Sequence, residues 1–189
     1  MLITPIQLFD EPLKIDETIA PGVLEYGPDI RQVSPLPVTG EADLLIEHRH
    51  EERGRNAQVN DIRLRASFHG EFEILCARCV EPVPQTVAGE FDLIFRPSAA
   101  DTEGGEHAIT LDETEIGYYE ESGLLLEDVV REQVLLSLPT RTLCKPDCQG
   151  LCPRCGQNRN LAPCSCDQTP SDLRWNALAG LADKIEVKH

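Results

Sequence analysis

Eight cysteines fall in four close pairs, Cys76-x2-Cys79, Cys144-x3-Cys148, Cys152-x2-Cys155 and Cys164-x-Cys166, and this spacing constrains the chain more than any other feature. Zinc takes four soft ligands at tetrahedral corners, so two such pairs make one closed site. In Cys152-Pro-Arg-Cys155-Gly156 the proline presets a tight turn, and the glycine permits the positive φ that follows it. In Cys164-Ser-Cys166 an extended backbone would send both sulfurs to the same side. Cys152, Cys155, Cys164 and Cys166 therefore form one expected tetrad. Cys76, Cys79, Cys144 and Cys148 form the other, closing a long loop and constraining the unfolded chain. Two structural zinc ions are the expected cofactors.

Other chemistries would use the same residues. Disulfides across C-x-C or C-x-x-C are strained, and a reducing compartment disfavours them. Redox C-x-x-C motifs open a helix in a βαβ unit, whereas Cys76 follows a strand-like stretch. A single or mixed-ligand site, or an iron–sulfur cluster, stays open on spacing alone.

The 189 residues suggest one domain with an appendage, at roughly 150 residues per domain. The expected division is an α+β domain over 1–140, then a zinc-binding segment over 141–189 packed on it. Residues 41–47 alternate apolar and polar, as do 59–68, 72–74 and 86–95, which predicts an antiparallel sheet of about five or six strands. Residues 1–22 form an extended lead-in with a possible edge strand, and 28–40, with three prolines and Gly40, a loop. Gly70 punctuates the middle strands. Residues 98–108 form a mobile acidic loop, and 109–111 a short strand. One long helix follows over 123–138, with Ser122 as its cap, Glu127 and Asp128 in its first turns and Pro139 as its stop. A short helix is expected over 172–185.

No apolar run approaches the ~18 residues a membrane span needs, and the first residues lack a basic start. A cytoplasmic protein without a membrane partner is expected. The net charge is −16, and residues 101–132 alone hold eleven acids against Arg131. Such a body repels phosphate at long range, which disfavours nucleic-acid binding by the whole surface. Bases concentrate locally: Arg141, Lys145, Arg154 and Arg159 follow the helix, and Arg78 lies inside the first C-x-x-C. They either neutralise the thiolates or contact phosphate from a small tip flanked by Asn158 and Asn160. A second cluster, Arg49, Arg53, Arg55, Arg63 and Arg65, fits a solvated strand face. No phosphate loop, dinucleotide fingerprint, nucleophile elbow or zinc-protease motif is present, and an all-cysteine tetrad has no open position. Neither catalysis nor a small-molecule substrate is expected.

Taken in order, Cys76-Ala-Arg-Cys79 after a strand, the helical V-R-E-Q-V-L-L-S-L-P of 130–139, then C-x3-C-x-G-L-C-P-x-C-G over 144–156 and Cys164-x-Cys166 resemble the bacterial YceD family. That resemblance implies a role in accumulation of large-subunit ribosomal RNA, with an rRNA precursor or a basic ribosomal protein as partner. Some members keep the first C-x-x-C and lack the C-terminal set, which implies the same grouping of the cysteines. A thiol redox or metal-handling protein is the alternative reading.

Overall fold

A computed structural model describes residues 1–50, 56–101 and 116–166. Eight strands and one α-helix occur there: β1 (Leu2–Ile3), β2 (Leu13–Ile19), β3 (Ile30–Gln32), β4 (Leu36–His50), β5 (Asn56–Leu75), β6 (Pro82–Pro97), β7 (Ile116–Tyr119), β8 (Leu124–Leu125) and α1 (Leu126–Ser137). The expected acidic loop from residue 102 onward, the strand at 109–111, the helix at 172–185, Arg53 and Arg55 lie outside the described residues.

β4, β5 and β6 are long because alternation runs through them without a break. Val38, Ala42, Ile62, Leu64, Phe68, Phe72, Val87 and Phe95 are buried on one face, as period-two patterning requires. The helix lays Leu126, Val129, Val130 and Val134 on this face, an i, i+3, i+4, i+8 stripe, and packs chiefly on β6. Leu136 points outward and is 71% exposed. On the opposite face Arg63 holds Asp92 through two hydrogen bonds of 2.8 and 2.6 Å, and Arg65 pairs with Glu41 and Asp43. These two bases are thus neutralised across strands.

Four expectations are corrected. The sheet is mixed rather than purely antiparallel: its order is β2-β4-β5-β6-β7, β3 lies beside β5, and β7 runs parallel to β6 from Ile94↔Ile116 to Pro97↔Tyr119. The connection from residue 98 to 115 exceeds the dozen or so residues that a parallel crossover needs. Residues 28–40 are not all loop, since they hold β3 and the start of β4. Pro37 is tolerated there because it faces Thr18 of β2 before the pairing of β4 with β5 begins at Val38. Nor does Gly70 interrupt β5, for it pairs with Val87. Ser122 does not cap the helix. Leu124 and Leu125 pair instead with Ile3 and Leu2, so α1 starts at Leu126, whose N–H donates to the Met1 carbonyl at 3.0 Å. The Met1 ammonium sits against Glu127, where an acid also suits the helix N-terminus.

One feature without a sequence signal closes an end of the sheet. Arg96 and Asp61, both buried, form a two-bond ion pair of 2.8 and 3.2 Å, and Glu47 lies 2.9 Å from the same guanidinium. Beside them Tyr119 donates to the Asn60 carbonyl at 2.7 Å, and burial, followed by the Asp61 charge, pushes its phenol upward.

Candidate metal centres

β5 ends at Leu75, and the chain then turns sharply through Cys76-Ala-Arg-Cys79. The turn is closed by Val80 N–H to the Cys76 carbonyl, 2.9 Å, and Cys76 N–H to the Glu81 carbonyl, 2.8 Å. After α1, Pro139 ends the helix and the strand-like contact of Ala77 N–H with the Thr142 carbonyl, 2.9 Å, lays residues 142–148 beside this turn. Cys144 and Cys148 thereby meet Cys76 and Cys79.

The four sulfurs lie within 4.8 Å of one another. Cys76 and Cys148 are 3.8 Å apart, and Cys79 and Cys144 are 3.5 Å apart. A tetrahedron with Zn–S bonds of about 2.3 Å has edges of about 3.8 Å, and a disulfide would hold its sulfurs at about 2.05 Å. The donor set therefore fits a thiophilic cation. Cys76, Cys79 and Cys148 are buried with Val83 and Leu143 around them, while Cys144 is exposed. Burial raises the Cys76 thiol, but N–H groups of Cys79, Arg78 and Cys144 directed at its sulfur outweigh this and bring it to about 6. Burial and the sulfurs of Cys79, Cys148 and Cys76 push Cys144 up to about 12. Sulfurs crowded this closely cannot all ionise without a cation among them.

The second centre repeats the turn. Gly156 N–H donates to the Cys152 carbonyl at 2.8 Å, and Cys152 N–H to the Gln157 carbonyl at 2.8 Å. Cys155, Cys164 and Cys166 join Cys152 within the same 4.8 Å limit. Here only Cys152 is buried; Cys164 and Cys166 are half-buried and Cys155 is exposed. Cys155 and then burial push the Cys166 thiol up to about 12.

The two centres interlock. Leu151 N–H donates to the Arg78 carbonyl at 3.0 Å, and the Arg78 guanidinium donates to the Cys148 carbonyl at 2.9 Å. Gly150, at φ +70°, comes so close that a Cβ there would lie 2.9 Å from the Arg78 carbonyl oxygen. Asn160 Nδ2 donates to Cys148 Sγ at 3.3 Å, and its Oδ1 accepts Gln149 N–H at 2.8 Å. Asn158 accepts from the Asn160 amide and donates to Glu81 at 3.2 Å. Asn158 and Asn160, expected to flank the tip, are half-buried, and their side-chain bonds hold one centre to the other.

Arg78, Arg141, Lys145, Arg154 and Arg159 are exposed. Among the described residues Arg31, Arg63, Arg65 and Arg96 of the sheet have carboxylate partners, whereas Lys14 of β2 and Arg141, Lys145, Arg154 and Arg159 have none. Among those residues, too, no helix is long and apolar enough to cross a membrane.

The family model described as "Large ribosomal RNA subunit accumulation protein YceD" matches residues 64–182, more than half of the chain and all eight cysteines. The chain belongs to the YceD family. The match takes in β5 from Leu64 onward, β6, β7, β8, α1 and both centres, and leaves β1 to β4 and the start of β5 outside it. Proteins of Mycobacterium bovis and of two Mycobacterium tuberculosis strains, each named as uncharacterized, are 38% identical to this YceD chain over 82 residues. That stretch is 43% of this chain and 37% of each relative, so the chain spans little more than a third of their length. No solved structure matches.

Proposed function

We propose that this chain is a non-enzymatic, cytoplasmic factor in large ribosomal subunit biogenesis that contacts large-subunit rRNA through its metal-bound lobe. The observation that carries the reading is the charge around the cysteines: Arg141, Lys145, Arg154 and Arg159 are exposed and have no carboxylate partner among the described residues, whereas Arg63, Arg65 and Arg96 of the sheet do. The family description supplies the large-subunit context.

Two zinc ions would be held by Cys76, Cys79, Cys144 and Cys148 and by Cys152, Cys155, Cys164 and Cys166. Bound there, zinc supplies a closed, redox-inert cross-link and no reactive position. Each all-thiolate zinc carries a charge of about −2. The five bases offset most of this, so the lobe is far less acidic than the body, and Arg141, Lys145, Arg154 and Arg159 form its exposed cationic surface. An acidic body carrying such a patch would favour approach to RNA in one orientation.

Salt-titrated binding to large-subunit rRNA fragments tests the reading. The double variant Arg154→Glu/Arg159→Glu is expected to bind about tenfold more weakly or worse, with a salt dependence shallower by about two charges. Unchanged binding would remove the lobe as an RNA contact. A basic ribosomal protein held by the acids of 101–132 would then be the partner to pursue. Tightly held zinc, with thiols unreactive until chelation, would exclude the redox or metal-handling alternative.

A further inference from the structure

We infer that the two cysteine centres fill cooperatively: a metal bound at either one raises the affinity of the other, through residues 149–151 and 158–160. The inference rests on the reading of both cysteine groups as metal centres, and it is independent of what the lobe binds.

Only Gln149, Gly150 and Leu151 separate Cys148, the last ligand of the first centre, from Cys152, the first ligand of the second. All three are tied down. Gln149 N–H donates to Asn160 Oδ1 at 2.8 Å, and the Gly150 carbonyl accepts Arg159 N–H at 2.9 Å. Leu151 N–H donates to the Arg78 carbonyl at 3.0 Å. Arg78 lies between Cys76 and Cys79 of the first centre, whereas Arg159 and Asn160 lie between Cys155 and Cys164 of the second. The three linking residues are thus bonded to the loops of both centres.

The same contacts reach the ligands. From inside the second loop, Asn160 donates to Cys148 Sγ at 3.3 Å. Asn158 donates to the Glu81 side chain at 3.2 Å, and the Glu81 carbonyl accepts Cys76 N–H at 2.8 Å. In the other direction, the Arg78 guanidinium donates to the Cys148 carbonyl at 2.9 Å, which fixes the start of the link that leads into Cys152.

No residue of 142–166 belongs to the main hydrophobic core. Segments of this kind take their order from the metal that closes them. Whichever metal binds first must fix the linking residues against their conformational entropy. The second metal then meets residues already fixed, and binds more tightly for that reason. Linkage makes the factor equal in both directions.

The test measures zinc affinity, by chelator competition, on the reduced full chain and on two variants that each keep one centre. Cys155→Ser/Cys166→Ser keeps the first centre, and Cys79→Ser/Cys144→Ser keeps the second. Independent centres would give wild type a two-zinc constant equal to the product of the two single-centre constants. Wild type is expected to exceed that product by about tenfold or more, the usual size of coupling between sites. Asn160→Leu is expected to lower the two-zinc constant by about tenfold, yet to change the constant of Cys155→Ser/Cys166→Ser by less than about twofold. This second comparison stands even if Cys79→Ser/Cys144→Ser fails to fold. A wild-type constant within about twofold of the product, or an Asn160→Leu effect equal in both backgrounds, would overturn the inference. A chain that takes up no zinc would overturn the metal-centre reading itself.

Discussion

In both Cys-x-Arg-Cys turns the N–H of the residue after the second cysteine donates to the carbonyl of the first, at 2.9 Å from Val80 and 2.8 Å from Gly156. The backbone is the same; the surroundings are not. The first turn caps a strand of the main sheet, and its partners come from beyond the helix, so three of its four cysteines are buried. The second draws all its ligands from residues 152–166, and only Cys152 is buried. One geometry thus serves two purposes. At the first centre a metal would tie sheet to helix; at the second it would fold a short loop that carries Arg154 and Arg159. The difference lies in how far apart in sequence the ligands are.

Removing one ligand from each centre is the strongest way to break this comparison. Cys76→Ser leaves a buried cluster unable to close, and is expected to lower unfolding stability by at least about 3 kcal/mol and to release one metal. Cys155→Ser also loses one metal, but with a thermal transition of the sheet within a few degrees of wild type, because no residue of that loop belongs to the main hydrophobic core. Elemental analysis and thermal unfolding of the two variants decide it. Equal losses of stability would mean that the second centre is as much part of the core as the first.

A smaller effect concerns the link between the centres. Asn160 follows the second turn, yet donates to Cys148 of the first centre at 3.3 Å. Burial raises the Cys148 thiol, and this bond, with the Gly150 N–H, brings it down below its ordinary range. Partners of this kind typically change metal affinity by about 10- to 100-fold. Asn160→Leu is therefore expected to speed metal loss from the first centre to a chelator by about tenfold or more, and to shift the sulfur-to-metal absorption of the cobalt-substituted protein. Asn160→Gln, which keeps a donor, should restore part of both. An unshifted absorption band would show that Asn160 only packs.

Much of this was legible in the chain and some was not, for reasons tied to sequence distance. The ligand pairs are local, one turn each, so spacing alone groups Cys152 with Cys155 and Cys76 with Cys79. The alternation of β4, β5 and β6 is likewise local. β7 is joined to β6 by a pairing that no short window contains, and so the parallel edge left no period to read. Arg96 and Asp61 look like surface residues on strands until register places them together across β5 and β6. Asn158 and Asn160 are polar residues in a basic loop, and only the fold shows that they turn inward.

The smallest predicted effect exchanges Val80 and Gly156, one of the two positions at which the turns differ, the other being Ala77 against Pro153. The position after the second cysteine needs a left-handed backbone in both, φ +61° at Val80 and φ +72° at Gly156. Glycine adopts this freely, whereas a β-branched residue is strained there by about 1–3 kcal/mol. Val80 is 52% exposed, so its side chain recovers little of that by burial. Val80→Gly is expected to stabilise the protein by about 1 kcal/mol, since relief of the strain exceeds the entropy glycine adds to the unfolded chain. Gly156→Val should impose the same strain on the second turn and speed its metal loss, with little change in the unfolding of the sheet. The readouts are chemical denaturation for the first variant and chelator competition for the second. If Val80→Gly destabilises the protein, the valine is held by contacts worth more than its strain, and the two turns are not equivalent in backbone energy.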